Sequence, residues 1–289
     1  MNAENDAALD RIMEQVREYG LEHHLLELES QGFTTLKQVL KPETVERAKS
    51  VIVETIERRQ SCSVDLETGE GFAGVNYIPY LLYEDEIFEE ILMTPAPLTL
   101  MTYLLGESCL LSSIGCHFKG PGGHPLALHS DNGNGMPGPF PAYAQVANLN
   151  YALTPYSKEA GALAMVPGSH KLARQPTVSE MQLAGERVNK HAVPMELEPG
   201  DCVIWHGNTW HGSYRREVPG VRMNLAVYFC RQYLQTQEQH KGIVPESVLV
   251  RQANSDRFQT LVGAKQPYGW QADGPDYNVM ARNPKGLYD

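Results

Sequence analysis

The chain has 289 residues, 42% of them hydrophobic and 20% charged, proportions of an ordinary globular protein that exclude a disordered, collagen-like or coiled-coil chain. Its net charge of −11 repels phosphate backbones and anionic lipid heads, so neither nucleic acid nor a membrane surface is the expected partner. No apolar run approaches the roughly 20 residues of a membrane span, and the opening MNAENDAALDR is acidic where a signal peptide is basic and then apolar, so a cytoplasmic address is expected.

From Asp6 to about Ser30, Leu9, Ile12, Met13 and Val16, then Leu25, Leu26 and Leu28, recur at helical spacing around a break at Gly20, which predicts two short helices. An extended piece, Phe33 to Val39, leads to a helix with Pro42 in its first turn, Glu43 and Glu46 at its positive end, and Val45, Ala48, Ile52 and Ile56 along one face. Ser61 to Val75 is polar and Gly-containing, hence a loop, and a further helix spans Pro95 to Leu105. From Cys109 the texture changes to short runs of β-formers: LLSSIGCHFK, AQVANLNYALT, GALAMVPGS, AVPMELEPGDCVIWH and VRMNLAVYFCR. No helical pattern alternates with them, so a double-sheet jelly roll is expected and a parallel α/β sheet is not. The expected organisation is one domain over 1–289: a mostly helical part to about 105, a β core over about 106–235, and a last segment, 236–289, that serves as a lid, an edge cover or a subunit contact in a homodimer. The five cysteines, Cys62, Cys109, Cys116, Cys202 and Cys230, are odd in number and form no CxxC, so reduced thiols are expected.

Ten histidines raise the question of metal. His129 and Asp131 stand two apart in PLALHSDNGNG; on an extended strand they would face one side, and with a second imidazole they would make the 2-His-1-carboxylate set that holds Fe(II). Alone, the pair reads equally as a histidine steadied by a neighbouring carboxylate or as a solvated turn. Downstream, LEPGDCVIWHGNTWHGSYRREVPGVRMNLAVYF offers His206 and His211, then Ser213, then Arg222 at the start of a β run. A guanidinium there suits the far carboxylate of a 2-oxoacid, because its planar fork meets a carboxylate at two points.

Taken in order, QGFTTLKQVLKPETVERAK, FKGPGGHPLALHSD, GALAMVPGSHK and LEPGDCVIWHGNTWHGS followed by VRMNLAVYF resemble the phytanoyl-CoA dioxygenase family of Fe(II)/2-oxoglutarate oxygenases, over about residues 28 to 231. The resemblance implies a mainly β protein with helical elaboration, a double-stranded β-helix of the jelly-roll, cupin type behind N-terminal helices, with Fe(II) at its open end and 2-oxoglutarate and O₂ as co-substrates. It places the metal ligands on His129, Asp131 and His211, the co-substrate cation on Arg222, and an added hydroxyl on Ser213; His206 falls in a preceding strand as a non-ligand. Lys119, on the strand before the His-x-Asp pair, reads as a surface lysine or as a second cation toward the co-substrate. His170 reads as structural, and His117 and His124 as non-ligands. Asn148 and Asn150 alternate on a strand that could line the pocket or simply be a satisfied polar face, and Met136, Phe140 and Tyr143 in NGNGMPGPFPAY could wall it over the iron or be an ordinary surface cover. The substrate expected is a small organic, lipid-like or natural-product molecule, most simply hydroxylated. The rivals are a non-catalytic cupin-like binding protein and a zinc hydrolase, which would leave Arg222 unexplained. Related iron halogenases carry Gly or Ala where Asp131 stands, so oxygenation without halogenation is implied.

Overall fold

The computed structural model describes residues 3–69, 77–133, 135–265, 270–271, 273–281 and 286–289. The helices α1 (Ala3–Glu18) and α2 (Glu22–Gln31) part at Gly20, whose φ of +66° is the left-handed conformation that favours glycine. β1 (Phe33–Leu36) is shorter than the extended run in the sequence, and α3 (Pro42–Gln60) opens on Pro42 as expected. Residues 61–69 form turns and coil, while the rest of the predicted loop, residues 70–75, lies outside the described residues. β2 (Tyr77–Ile78) and α4 (Glu86–Leu92) follow; α4 is a two-turn helix capped by Asp85, whose carboxylate accepts from the Ile87 amide. α5 (Pro95–Leu105) is apolar on every side and is buried accordingly.

The β core comprises β3 (Leu110–Lys119), β4 (Leu126–His129), β5 (Val146–Ala152), β6 (Leu163–Met165), β7 (Val193–Pro194), β8 (Cys202–His206), β9 (His211–Ser213) and β10 (Arg222–Cys230). They form two antiparallel sheets in the orders β1-β8-β5-β10-β3-β2 and β4-β9-β6-β7, the expected jelly roll. The N-terminal part is not separate from this core, because it donates both edge strands of the larger sheet.

Alternation sorts that sheet into two faces. Leu149 and Tyr151 of β5, Leu225, Val227 and Phe229 of β10, and Ile114 and Cys116 of β3 join the main apolar cluster with α1, α3, α4 and α5. The opposite rows, Asn148 and Asn150, Arg222, Asn224, Ala226 and Tyr228, and Gly115, His117 and Lys119, turn into the barrel. Phe33, Leu163, Met165, Val203 and Trp205 plug the barrel on its β1–β8 side. The β3–β10 side therefore holds its polar interior.

After β10 the chain covers the helical layer. α6 (Glu246–Arg251) brings Arg251 to 2.5 Å from Glu89, and α7 (Asp256–Leu261) buries Phe258 and Leu261 in the main cluster. A short pair, β11 (Trp270–Gln271) and β12 (Gly274–Pro275), precedes α8 (Tyr277–Met280). Ser108 and Glu107 bond the carbonyls of Asp289 and Tyr288, fastening the C-terminal residues beside α5. Four cysteines are buried, Cys62 is partly so, and all five are free thiols. Among the described residues no helix is long and apolar enough to cross a membrane.

Candidate metal and co-substrate site

His129 ends β4 and His211 begins β9, and the two are direct cross-strand partners, so their rings meet with centroids 4.3 Å apart. Asp131 reaches them by a different route from the one the sequence suggests. The strand stops at His129, and Asp131 opens a short 3₁₀ turn, Asp131–Gly133, held by its own amide donating to the Gly207 carbonyl at 3.1 Å. Two-residue strand alternation is thus not what aims the carboxylate; the turn is. Asp131 lies 3.8 Å from His129 Nε2 through Oδ1 and 3.5 Å from His211 Nε2 through Oδ2, and the three ligand atoms all fall within 4.8 Å of one another. Gly212 makes the approach of β4 and β9 feasible, because a Cβ there would run into the Leu126 carbonyl.

The surroundings prepare these groups for a cation. Each imidazole places Nδ1 against a backbone carbonyl, His129 on Ala127 at 2.9 Å and His211 on Thr209 at 3.0 Å, so Nδ1 carries the proton and Nε2 keeps its lone pair for metal. Burial lowers the His211 pKa against the opposing pull of Asp131, keeping the ring neutral. Asn148 donates to Asp131 Oδ2 at 2.7 Å, a contact that the sequence reading of Asn148 as a lining residue did not foresee. Trp205 backs His211 with centroids 4.8 Å apart. One face of the set stays open, His129 keeping 35% of its side-chain surface. The donors fit a facial metal site with free positions.

Below the triad, Arg222, Ser213 and Lys119 come together. Lys119 is not at the surface: it stands opposite Arg222 on β3, 9% exposed, and donates to Ser213 Oγ at 2.6 Å and to the Tyr214 carbonyl at 2.7 Å. Burial, and then the Arg222 charge, push its pKa down to about 7. Arg222 is 3% exposed, gives Nη1 to the Gly161 carbonyl at 2.7 Å, and lies 5.3 Å from the Tyr156 ring centre. Among the described residues its Nε and the Tyr156 hydroxyl are buried without a partner. Two cations and two orphaned donors stand here with no acid beside them among the described residues, a set whose chemistry fits a carboxylate. Sequence reasoning missed Tyr156, whose only signal is its place just before a turn.

The remaining candidates separate cleanly. His206 sits on β8 with Nδ1 accepting from the Asn208 amide at 3.0 Å and Nε2 at 3.2 Å from the Ala142 carbonyl, so it is committed elsewhere. His170 packs 5.6 Å from it, and His124 is exposed in its turn. Asn150 faces the interior. Phe140 is buried with its amide on the Ala173 carbonyl, Tyr143 carries the Arg231 guanidinium 5.1 Å from its ring centre, and Met136 is half-buried in the same loop; among the described contacts none of the three reaches the triad. Tyr228, unnoticed in the sequence, stands beside the site, its phenol pKa raised by burial and then by the nearby Asp131 charge.

Two histidines and a carboxylate on the open end of a double-stranded β-helix, above a buried cationic floor, define a cupin-type barrel with a candidate metal site. The chain belongs to the phytanoyl-CoA dioxygenase (PhyH) family, whose profile matches residues 28–224 and whose members are Fe(II)/2-oxoglutarate dioxygenases. It is 30% identical to the dioxygenase af480 of Aspergillus fumigatus over 191 residues, 64% of this chain and 59% of that one. It is 33% identical to the dioxygenase FUM3 of Gibberella moniliformis over 169 residues, 56% of this chain and 52% of that one. The chain thus spans less than two thirds of the length of these curated relatives. Among solved structures, HygX from Streptomyces hygroscopicus with nickel and 2-oxoglutarate bound superposes with a TM-score of 0.60 at 17% identity, covering 74% of this chain and 88% of that one. The carbocyclase SnoK from nogalamycin biosynthesis gives 0.55 at 16%, covering 80% and 90%. At such identities the likeness speaks for the fold.

Proposed function

We propose that this protein is an Fe(II)/2-oxoglutarate-dependent dioxygenase that hydroxylates an unactivated C–H bond of a small organic substrate, with succinate and CO₂ as co-products. The observation that carries it is the pairing, in one barrel, of the His129–Asp131–His211 set with the Lys119–Ser213–Arg222 floor and its orphaned Arg222 Nε. When bound, Fe(II) and 2-oxoglutarate supply the activation of O₂ that oxidises the substrate.

The chain's own residues have separate tasks. His129, Asp131 and His211 hold the metal on one side only. Arg222 and Ser213, joined by Lys119, take the far carboxylate of 2-oxoglutarate, and they are buried where a charge-assisted pair is strong. Asn148 keeps the Asp131 carboxylate turned and hydrogen-bonded. Asp131 supplies the ligand that would have to be absent for a halide to bind, so oxidation without halogenation is the expected outcome, with hydroxylation its simplest form. Release of succinate from 2-oxoglutarate, dependent on Fe(II) and accelerated by one member of a substrate panel, tests the proposal. A protein that binds metal yet yields no succinate under any of these conditions would instead be the cupin-like binder.

A further inference from the structure

We infer that the inner face of β2, β3 and β10 is the substrate wall and that it is built for an uncharged, hydroxyl-bearing molecule; this rests on the oxygenase reading of the site. Three residues mark the wall. His117 is the one exposed residue of β3, in the middle of a strand whose other positions are buried or nearly so. Tyr228 is the one residue of β10 that is not buried. Tyr77, 36% exposed, pairs with His117 across β2 and β3, their ring centres 4.4 Å apart.

A strand side chain that meets solvent while facing into a barrel borders a cavity, and register says that this is the metal's cavity. Tyr228 is the cross-strand partner of Asn148, which bonds Asp131. His117 is the partner of Asn224, whose Oδ1 is buried and unpartnered. Gly115 lies between: a Cβ there would strike the Tyr77 hydroxyl, so the missing side chain is what lets the phenol lie flat on β3. The hydroxyl is hydrogen-bonded to Ser113, which in turn donates to Gln237 at 2.7 Å.

Chemistry then selects the occupant. Phenol, imidazole and amide each offer hydrogen bonds to a hydroxyl or carbonyl, and a site lined this way penalises a substrate that leaves them unpaired. Among the described residues the inward strand rows carry two formal charges, Lys119 and Arg222, assigned to 2-oxoglutarate, while Asp131, in the turn after β4, is assigned to the metal. A second carboxylate or a phosphate on the substrate would find hydrogen-bond donors on this wall but, among the described residues, no further cation to neutralise it, which disfavours fatty acids and CoA thioesters.

The experiment uses the whole chain with Fe(II) and 2-oxoglutarate under anaerobic conditions, reading the visible charge-transfer band as myo-inositol, methyl glucoside, palmitate or palmitoyl-CoA is added, then succinate release after O₂ is admitted. A band that shifts with a neutral polyol or glycoside, with about tenfold faster succinate release and no response to the two charged lipids, is expected. A band that responds only to palmitate or palmitoyl-CoA, or to none of the four, overturns the wall inference alone. Absence of the band altogether overturns the oxygenase reading and this inference with it. With the responding compound, Tyr228→Phe and His117→Leu should each raise KM about tenfold with a smaller effect on kcat, and His117→Gln, which keeps a hydrogen-bonding group, should recover most of the loss. Unchanged KM in the first two variants would assign the wall to packing.

Discussion

Replacing Arg222 with methionine removes the guanidinium while keeping a long apolar side chain in a site that is only 3% exposed. Truncating one partner of a buried charge pair costs about 2 to 5 kcal/mol. Lys119 stays behind and still reaches Ser213 at 2.6 Å, so the lower end applies, about 2 kcal/mol. At 1.4 kcal/mol per decade this is an increase of about 30-fold in the Kd for 2-oxoglutarate. The fold should not suffer in proportion, because Arg222 is buried with no acid beside it among the described residues, and a buried charge exchanged for a matched apolar side chain is often neutral in stability. Anaerobic titration of 2-oxoglutarate into the Fe(II) protein measures the loss, and iron affinity, read separately by calorimetry, should hold. A Kd within about threefold of wild type, with the variant folded, would refute the assignment of Arg222 to the co-substrate.

The remaining expectations follow from the same geometry. His211→Ala should abolish retention of one Fe(II) per chain, whereas His206→Ala should retain it, since His206 is tied to Asn208 and Ala142; metal analysis after desalting decides, and the reverse pattern would move the site. Burial and then the Arg222 charge push the Lys119 pKa down to about 7, so above that pH the site without co-substrate loses a cation that a bound carboxylate demands. Affinity for 2-oxoglutarate should therefore fall as pH rises from about 7 to about 9, by up to tenfold per unit, with proton uptake on binding, and the dependence should flatten in Lys119→Arg; a flat wild-type profile contradicts this. Wild-type protein turning over in chloride should yield no chlorinated product, by mass spectrometry, and Asp131→Gly should lose hydroxylation.

The barrel was legible because β-forming runs such as VANLNYA and VRMNLAVYFC are long and bounded by turns, and the ordered motifs singled out the three residues that the structure brings together, His129, Asp131 and His211. What was not legible depended on the third dimension. The sequence assigns Asp131 to a strand on spacing alone, whereas the Gly207 carbonyl, 76 positions away, takes its amide and sets the turn. Lys119 looks like a surface residue until β3 and β10 are in register, when it falls opposite Arg222. The aromatic loop residues suggested an apolar wall, but Phe140 and Tyr143 are engaged by the Ala173 carbonyl and by Arg231, while Asn148 and Trp205, which touch the triad, sit inside strands where side-chain direction follows from pairing. α4, EIFEEIL, is too short for periodicity to announce.

One Fe(II) and one 2-oxoglutarate are expected to share this barrel. Anaerobic addition of Fe(II) and then 2-oxoglutarate tests it most directly: a visible charge-transfer band should appear and saturate at one of each per chain, and should be absent in His211→Ala. A protein that takes up Fe(II) yet gives no band with 2-oxoglutarate, or binds zinc and hydrolyses esters in its place, would contradict the account.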